Sequence, residues 1–276
     1  MDRRMVKRDL IIEGLLVLFA IPSMFPIYLM VISSFKQNSE IYHPFSLPKV
    51  FQFENYLTVF KKVDVFLVLG NTIYICFGAI ILLVLVSSIA GYRISRRNSK
   101  ILNFILFLFI TGIIIPMQAN MVPTYKLGQY LHLLNTRTFL VLLYAAGTIP
   151  FATMIYVGFT KNIPREIEEA ATIDGCGSFR MFWKILFPLL MPATGTVIAT
   201  IIFFFWNDFQ GPLIYLNDPQ KQTLIAQIFR FKQDMTSVKW GPLFALCVMA
   251  MLPIVIIFMF VQKHLIRGLV AGAVKG

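Results

Sequence analysis

Glu166, Glu168, Glu169 and Asp174 place four carboxylates in one short stretch of a 276-residue chain whose formal net charge is +12. Their spacing suits electrostatics rather than covalent chemistry. The three glutamates fall in the first turns of a short helical segment, where negative charge stabilises the positive end of the helix dipole. The other reactive side chains form no catalytic pattern. His43, His132 and His264 are scattered and no H-E-x-x-H occurs, which leaves no zinc-protease signature. G-x-S-x-G is also absent, and with it the nucleophile elbow. Cys76, Cys176 and Cys247 lack metal-ligand spacing and read as small packing residues. A tail of Gly272-Ala-Val-Lys275 invites a phosphate-loop reading. It lacks the following Ser or Thr and the preceding strand that such a loop needs.

The elements that must carry these residues are apolar. Hydrophobic residues make up 58% of the chain and charged residues 14%, with mean hydropathy +0.75. Few soluble domains have so few charges. Six blocks reach the roughly 20 residues that cross a bilayer: 14–35, 65–92, 101–125, 138–160, 185–206 and 240–261. None contains Lys, Arg, Asp or Glu. The expected fold is an all-α membrane protein of six helices forming one transmembrane domain over 1–276. The first block is longer than a signal-peptide core, contains Pro22 and Pro26 and lacks a clear cleavage site, so it is expected to be retained. Fifteen of the 25 Lys and Arg fall at the N-terminus, in loops 93–100 and 161–184, and in the tail 263–276. The positive-inside rule places those segments and both termini in the cytoplasm. The basic balance then reads as topology beside anionic membrane lipid, with no nucleic-acid pattern. Segment 36–64 reads as a structured exterior piece. Loop 207–239 is the longest polar connection and is expected to meet an external partner.

Loop 161–184 carries the acidic cluster. Asn162 can cap a helix and Pro164 suits its early position. Ile163, Ile167, Ala170 and Ala171 form a narrow apolar stripe, and Gly175 can stop the helix with φ > 0. Ser178 can cap a second helix, with Phe179, Phe182, Trp183 and Leu186 on one face. The first helix is too short to be stable alone. It needs a surface to rest on, either this chain's own bundle or another subunit, and the residues alone support both.

The wider pattern resembles a known family. Glu169-Ala170-Ala171, three residues, Gly175, nine residues, Ile185, one residue and Phe187-Pro188 is similar to the EAA motif of ABC importer permeases. Phe187 stands where the family pattern has Leu and keeps its apolar character. PTYKLGQYLHLLNT (123–136), NIPREIEEAATIDG (162–175), FFFWNDF (203–209) and GLVAGAVKG (268–276) resemble the carbohydrate-uptake branch. Within it the chain is similar to the maltose-system type that ends in G-x-V-K-G. The resemblance implies a permease subunit of the bacterial inner membrane. It implies a second permease, a dimeric ATPase subunit that holds the ATP and Mg, an extracytoplasmic solute-binding protein and a sugar substrate. Glu169, Ala170, Ala171, Asp174 and Gly175 would dock the ATPase. Gly272, Val274, Lys275 and Gly276 would reach toward the same interface. No cofactor or catalysis is expected on this chain.

For the solute path, Asn71, Thr72 and Tyr74 on the second span, Gln118 and Asn120 on the third, and Trp206, Asn207 and Asp208 after the fifth are polar or aromatic near the outer halves. Such side chains suit sugar hydroxyls and ring faces, and equally suit anchoring at the headgroups. Two other readings stand beside the sugar importer: a permease of the same branch for glycerol phosphate or a polyol, and, outside that class, an ion-coupled carrier. The carrier usually needs ionisable groups at mid-membrane, which the six blocks lack.

Overall fold

The computed structural model describes residues 3–97, 99–233 and 239–273, and every regular element among them is helical. In chain order the helices are α1 (Arg3–Ser33), α2 (Glu54–Lys62), α3 (Val65–Arg96), α4 (Lys100–Ile114), α5 (Met121–Tyr130), α6 (Arg137–Thr160) and α7 (Glu166–Ile173). They continue with α8 (Ser178–Met181), α9 (Phe187–Leu189), α10 (Met191–Asn207), α11 (Gln210–Tyr215), α12 (Leu224–Gln233) and α13 (Trp240–Ala273). A π-helical turn, Phe182–Leu186, joins α8 to α9.

Four helices have long enough apolar stretches to cross a membrane: Ile12–Ser33, Val65–Arg96, Arg137–Thr160 and Trp240–Phe260. The third and fifth sequence blocks are instead bent pairs. Lys100–Ile114 and Met117–Tyr130 meet at 98°, and Ser178–Leu189 and Met191–Asn207 at 67°. Proline explains the first break. Ile115 precedes Pro116 and is extended, with ψ 118°, as the proline ring demands of its predecessor. Pro188 and Pro192 flank the second break at Leu190. By contrast Pro22, Pro26, Pro150 and Pro253 stay inside continuous helices. Proline position alone therefore does not separate a kink from a break. Among the described residues the count is four spans, or six if each bent pair crosses once.

The chain divides into two compact units. One holds Met1–Val65 and Ile228–Pro253. Its segment 36–64 is folded by polar contacts. Lys36 is fully buried, and its Nζ donates to the carbonyls of His43 at 2.8 Å and Pro44 at 3.2 Å. Asn55 Nδ2 donates to the carbonyls of Ser34 and Lys36. Around these bonds the rings of Phe51, Phe53 and Tyr56 gather on Phe35. The Trp240 amide donates to Asn38 Oδ1 at 3.0 Å.

The other unit holds Phe66–Gln227 and Ile254–Gly276. Here α3 lies against α6 through small residues. A Cβ on Gly91 would stand 2.5 Å from Tyr156 Cβ, so the backbones approach as only glycine allows. Tyr156 and Thr194 hydroxyls share a buried bond of 2.9 Å that joins α6 to α10. Helix α6 has 24 residues and is about 36 Å long at 1.5 Å per residue. Its two ends separate the two candidate sites, one after Thr160 and one around Arg137.

Candidate docking and solute-path sites

At the Thr160 end, α7 is shorter than its sequence pattern suggests. It begins at Glu166 with Arg165 at the N-cap, and no side chain caps it. Residues 161–164 run through turns, so Asn162 precedes the cap position rather than occupying it. Likewise Gly177, not Ser178, is the N-cap of α8. The stop is as expected. Gly175 has φ +74°. The Cys176 amide bonds to the Ala171 carbonyl and the Gly175 amide to the Thr172 carbonyl, the paired bonds of a Schellman motif.

This helix has two unlike faces. Ala171 is buried with Met181, Phe182 and Leu186, and Ile163, Cys176, Trp183 and Phe187 pack on that cluster. The opposite face is bare: Glu166, Glu169, Ala170, Asp174 and Gly175 are exposed. Ile173 is 85% exposed and Phe179 80%. Of the aromatic face expected on the second helix, Phe182 and Leu186 turn inward while Phe179 turns outward and meets Trp183 edge-on. Two large apolar side chains therefore stand in the open beside three carboxylates.

Glu168 differs from its neighbours. Its Oε1 accepts from Arg96 Nε at 2.5 Å and its Oε2 from the Tyr92 hydroxyl at 2.8 Å. The paired side chains are only 12% and 16% exposed. A second Arg96 nitrogen donates to the Ile163 carbonyl at 2.7 Å. The last turn of α3 is thus tied to both α7 and the turn before it. Charge-assisted bonds of this kind are the strong ones. Sequence reading grouped Glu168 with the dipole-stabilising acids. The signal that separates it is spacing: Glu168 stands three residues before buried Ala171 and shares its face.

At the Arg137 end the chain closes on itself. Asn71 is buried, and its Nδ2 donates to the carbonyls of Gln220 at 2.7 Å and Gln222 at 3.0 Å. Its Oδ1 accepts from Arg137 at 2.8 Å. Thr72 accepts from the Leu224 amide at 2.9 Å. Asp208 accepts from the Tyr144 hydroxyl at 2.6 Å and from the amides of Gln210 and Gly211. A Cβ at Gly211 would lie 2.5 Å from Asp208 Oδ2, so this carboxylate fits only over glycine. Asn135, with φ 58°, accepts from the amides of Asn217 and Asp218. Burial raises the Tyr215 phenol above its usual pKa. Its hydroxyl donates to the Met121 carbonyl at 3.3 Å.

The candidate solute-path residues therefore separate into two groups. Asn71, Thr72 and Trp206 are buried, and Asp208 is committed to Tyr144 and α11. Tyr74, Gln118, Asn120 and Asn207 are exposed. Gln118 and Asn120 lie on the turn at the 98° bend. Tyr74 carries the Arg137 guanidinium 5.3 Å from its ring centre, a cation–π distance. Asn207 donates to its own helix at Phe203. Arg137 and Asn135 were missed by sequence reading, being ordinary loop residues until the fold brings 215–222 against them. In the tail, Gly272 is on the last turn of α13, while Val274, Lys275 and Gly276 lie outside the described residues.

These features define a helical, multi-pass membrane protein with a half-exposed acidic helix at one end. Residues 83–270 match the family described as the binding-protein-dependent transport system inner membrane component, and the chain belongs to that family. It is 33% identical to the melibiose/raffinose/stachyose import permease of Bacillus subtilis (strain 168), over 96% of each chain. It is 34% identical to a probable starch degradation products transport permease of Thermoanaerobacterium thermosulfurigenes, over 91% of each. The fold is that of a crystallised bacterial ABC transporter involved in import of the acidic polysaccharide alginate. The TM-score is 0.81 at 20% identity, covering 95% of this chain and 98% of that one.

Proposed function

We propose that this chain is a permease subunit of a bacterial ATP-driven importer for a sugar or oligosaccharide. The observation that carries the coupling role is the division of α7 into an anchored face and a bare one. Glu169, Ala170, Asp174 and Gly175, flanked by exposed Ile173 and Phe179, form the surface offered to a partner ATPase. Ala171 supports that surface from beneath. A mixed apolar and acidic knob of this kind suits a groove with an apolar floor and basic rim. ATP and Mg would be held by that partner, and this chain would contribute movement rather than hydrolysis.

The sugar assignment draws on the substrates for which the relatives are named, which include melibiose, raffinose, stachyose and arabinooligosaccharides. The partner set is a second permease, the ATPase dimer, an extracytoplasmic binding protein and surrounding lipid. An alginate transporter has been crystallised with a pentasaccharide-bound periplasmic protein, which supports including the binding protein. Two bent pairs counted as spans bring the total to six. With the charge bias of the loops this favours both termini and α7 on the cytoplasmic side. Segment 207–239 then faces the binding protein. Tyr74, Gln118, Asn120 and Asn207 remain open for solute. Asn71 and Asp208 would reach it only after their present bonds exchange.

A pull-down from detergent-solubilised membranes tests the docking assignment. Glu169→Lys with Ala170→Glu alters exposed side chains alone. The wild-type chain should recover an ATPase that the double variant loses. Equal recovery by both, or no ATPase with folded wild type, contradicts the proposal.

A further inference from the structure

A groove of about 510 Å³ runs between α3 and α4, wholly within the second unit. Val86, Ile89 and Ala90 of α3 and Leu102, Ile105 and Phe109 of α4 line it, and Arg93 is the charged residue in its lining. Arg93 sits three residues before the end of α3, and Lys100 opens α4. Arg93, Arg97 and Lys100 are exposed and make no ion pair among the described residues. Arg96 differs, being engaged by Glu168. The groove is therefore apolar along its length and cationic at one end.

We propose that this groove holds one anionic phospholipid, with an acyl chain along the α3–α4 wall and its phosphate at Arg93, Arg97 and Lys100. The chemistry selects this occupant. A free phosphate has no use for the apolar wall, and a zwitterionic lipid brings a cation of its own that offsets its phosphate. A guanidinium matches phosphate in shape and charge, and basic pockets between membrane helices favour anionic headgroups. The site is separate from the docking face of α7 and depends only on α3 and α4 lying in a bilayer.

Native mass spectrometry of the full chain, delipidated and then titrated with phosphatidylglycerol or phosphatidylcholine of matched chains, tests it. Wild type should bind phosphatidylglycerol more tightly than phosphatidylcholine. Arg93→Gln should weaken phosphatidylglycerol by about fivefold for the loss of one cation, and phosphatidylcholine by less. Ala90→Trp, which fills the groove, should weaken both lipids. Equal affinities for the two lipids in wild type, or unchanged phosphatidylglycerol binding in Arg93→Gln, overturns the proposal. So does efficient cross-linking of a cysteine placed at Ile105 to a second polypeptide in the intact membrane, because the groove would then be a protein interface.

Discussion

The two ends of the second unit use polar residues in opposite ways. At the Arg137 end, Asn71, Asp208 and Asn135 spend their hydrogen bonds on the backbone of 210–222, and the loop is sealed against the helices. At the Thr160 end, one acid of the cluster is half-buried and paired while Glu166, Glu169 and Asp174 stay exposed. The sealed end is built for one fixed arrangement. The half-open end fixes its inner face and leaves its outer face bare. A short helix can do this only because its anchor is strong: Glu168, Arg96 and Tyr92 hold what the helix's own length cannot.

Substitutions break the comparison in a graded order. Glu168→Ala should have the largest effect, about 3 kcal/mol, because it strands Arg96 in a mostly buried setting. A fall in thermal stability and easier proteolysis around 161–177 would report it. Asn71→Ala removes three hydrogen bonds at the sealed end and should cost about 2 kcal/mol. Protease cutting within 216–222 should then accelerate, while 161–177 stays protected. Gly211→Ala forces a Cβ against Asp208 and should cost about 1–2 kcal/mol, read in the same melting assay. Gly175→Ala meets no atom within 4 Å, so only its left-handed backbone is strained, at about 1 kcal/mol. The smallest stability change belongs to Ile173→Asp, within about 0.5 kcal/mol for an exposed site. That variant should nevertheless lose ATPase copurification, which separates docking from folding. A matching loss of thermal stability would show that Ile173 supports the fold instead.

Much of the half-open end was legible in the residues. The acidic first turns, Gly175 and the apolar stripe announce a helix and its stop because capping and dipole effects are local. The starting residue was not legible, since Asn162 and Pro164 are good cap chemistry that the fold leaves in a turn. Nor was the split among three clustered glutamates, which depends on Arg96, 72 residues from Glu168 in sequence. The six apolar blocks marked where the spans lie, because bilayer length is written into composition. Two of them proved bent, and the same proline chemistry elsewhere left helices continuous. The sealed end was the least legible. Asn71 reads as a solute ligand from its position in a span, and only the return of Gln220 and Gln222 over 149 and 151 residues shows its structural work.

If α7 docks an ATPase as proposed, the Glu168–Arg96 pair would carry movement from the docked helix into α3. The most direct test is to purify the importer assembled around Glu168→Gln and measure ATP hydrolysis and sugar uptake in the same proteoliposomes. The ATPase should still copurify and hydrolyse ATP, because the outer face of α7 is unchanged, while uptake per ATP falls steeply. Uptake per ATP equal to wild type would contradict the claim and reduce the pair to a support for the fold.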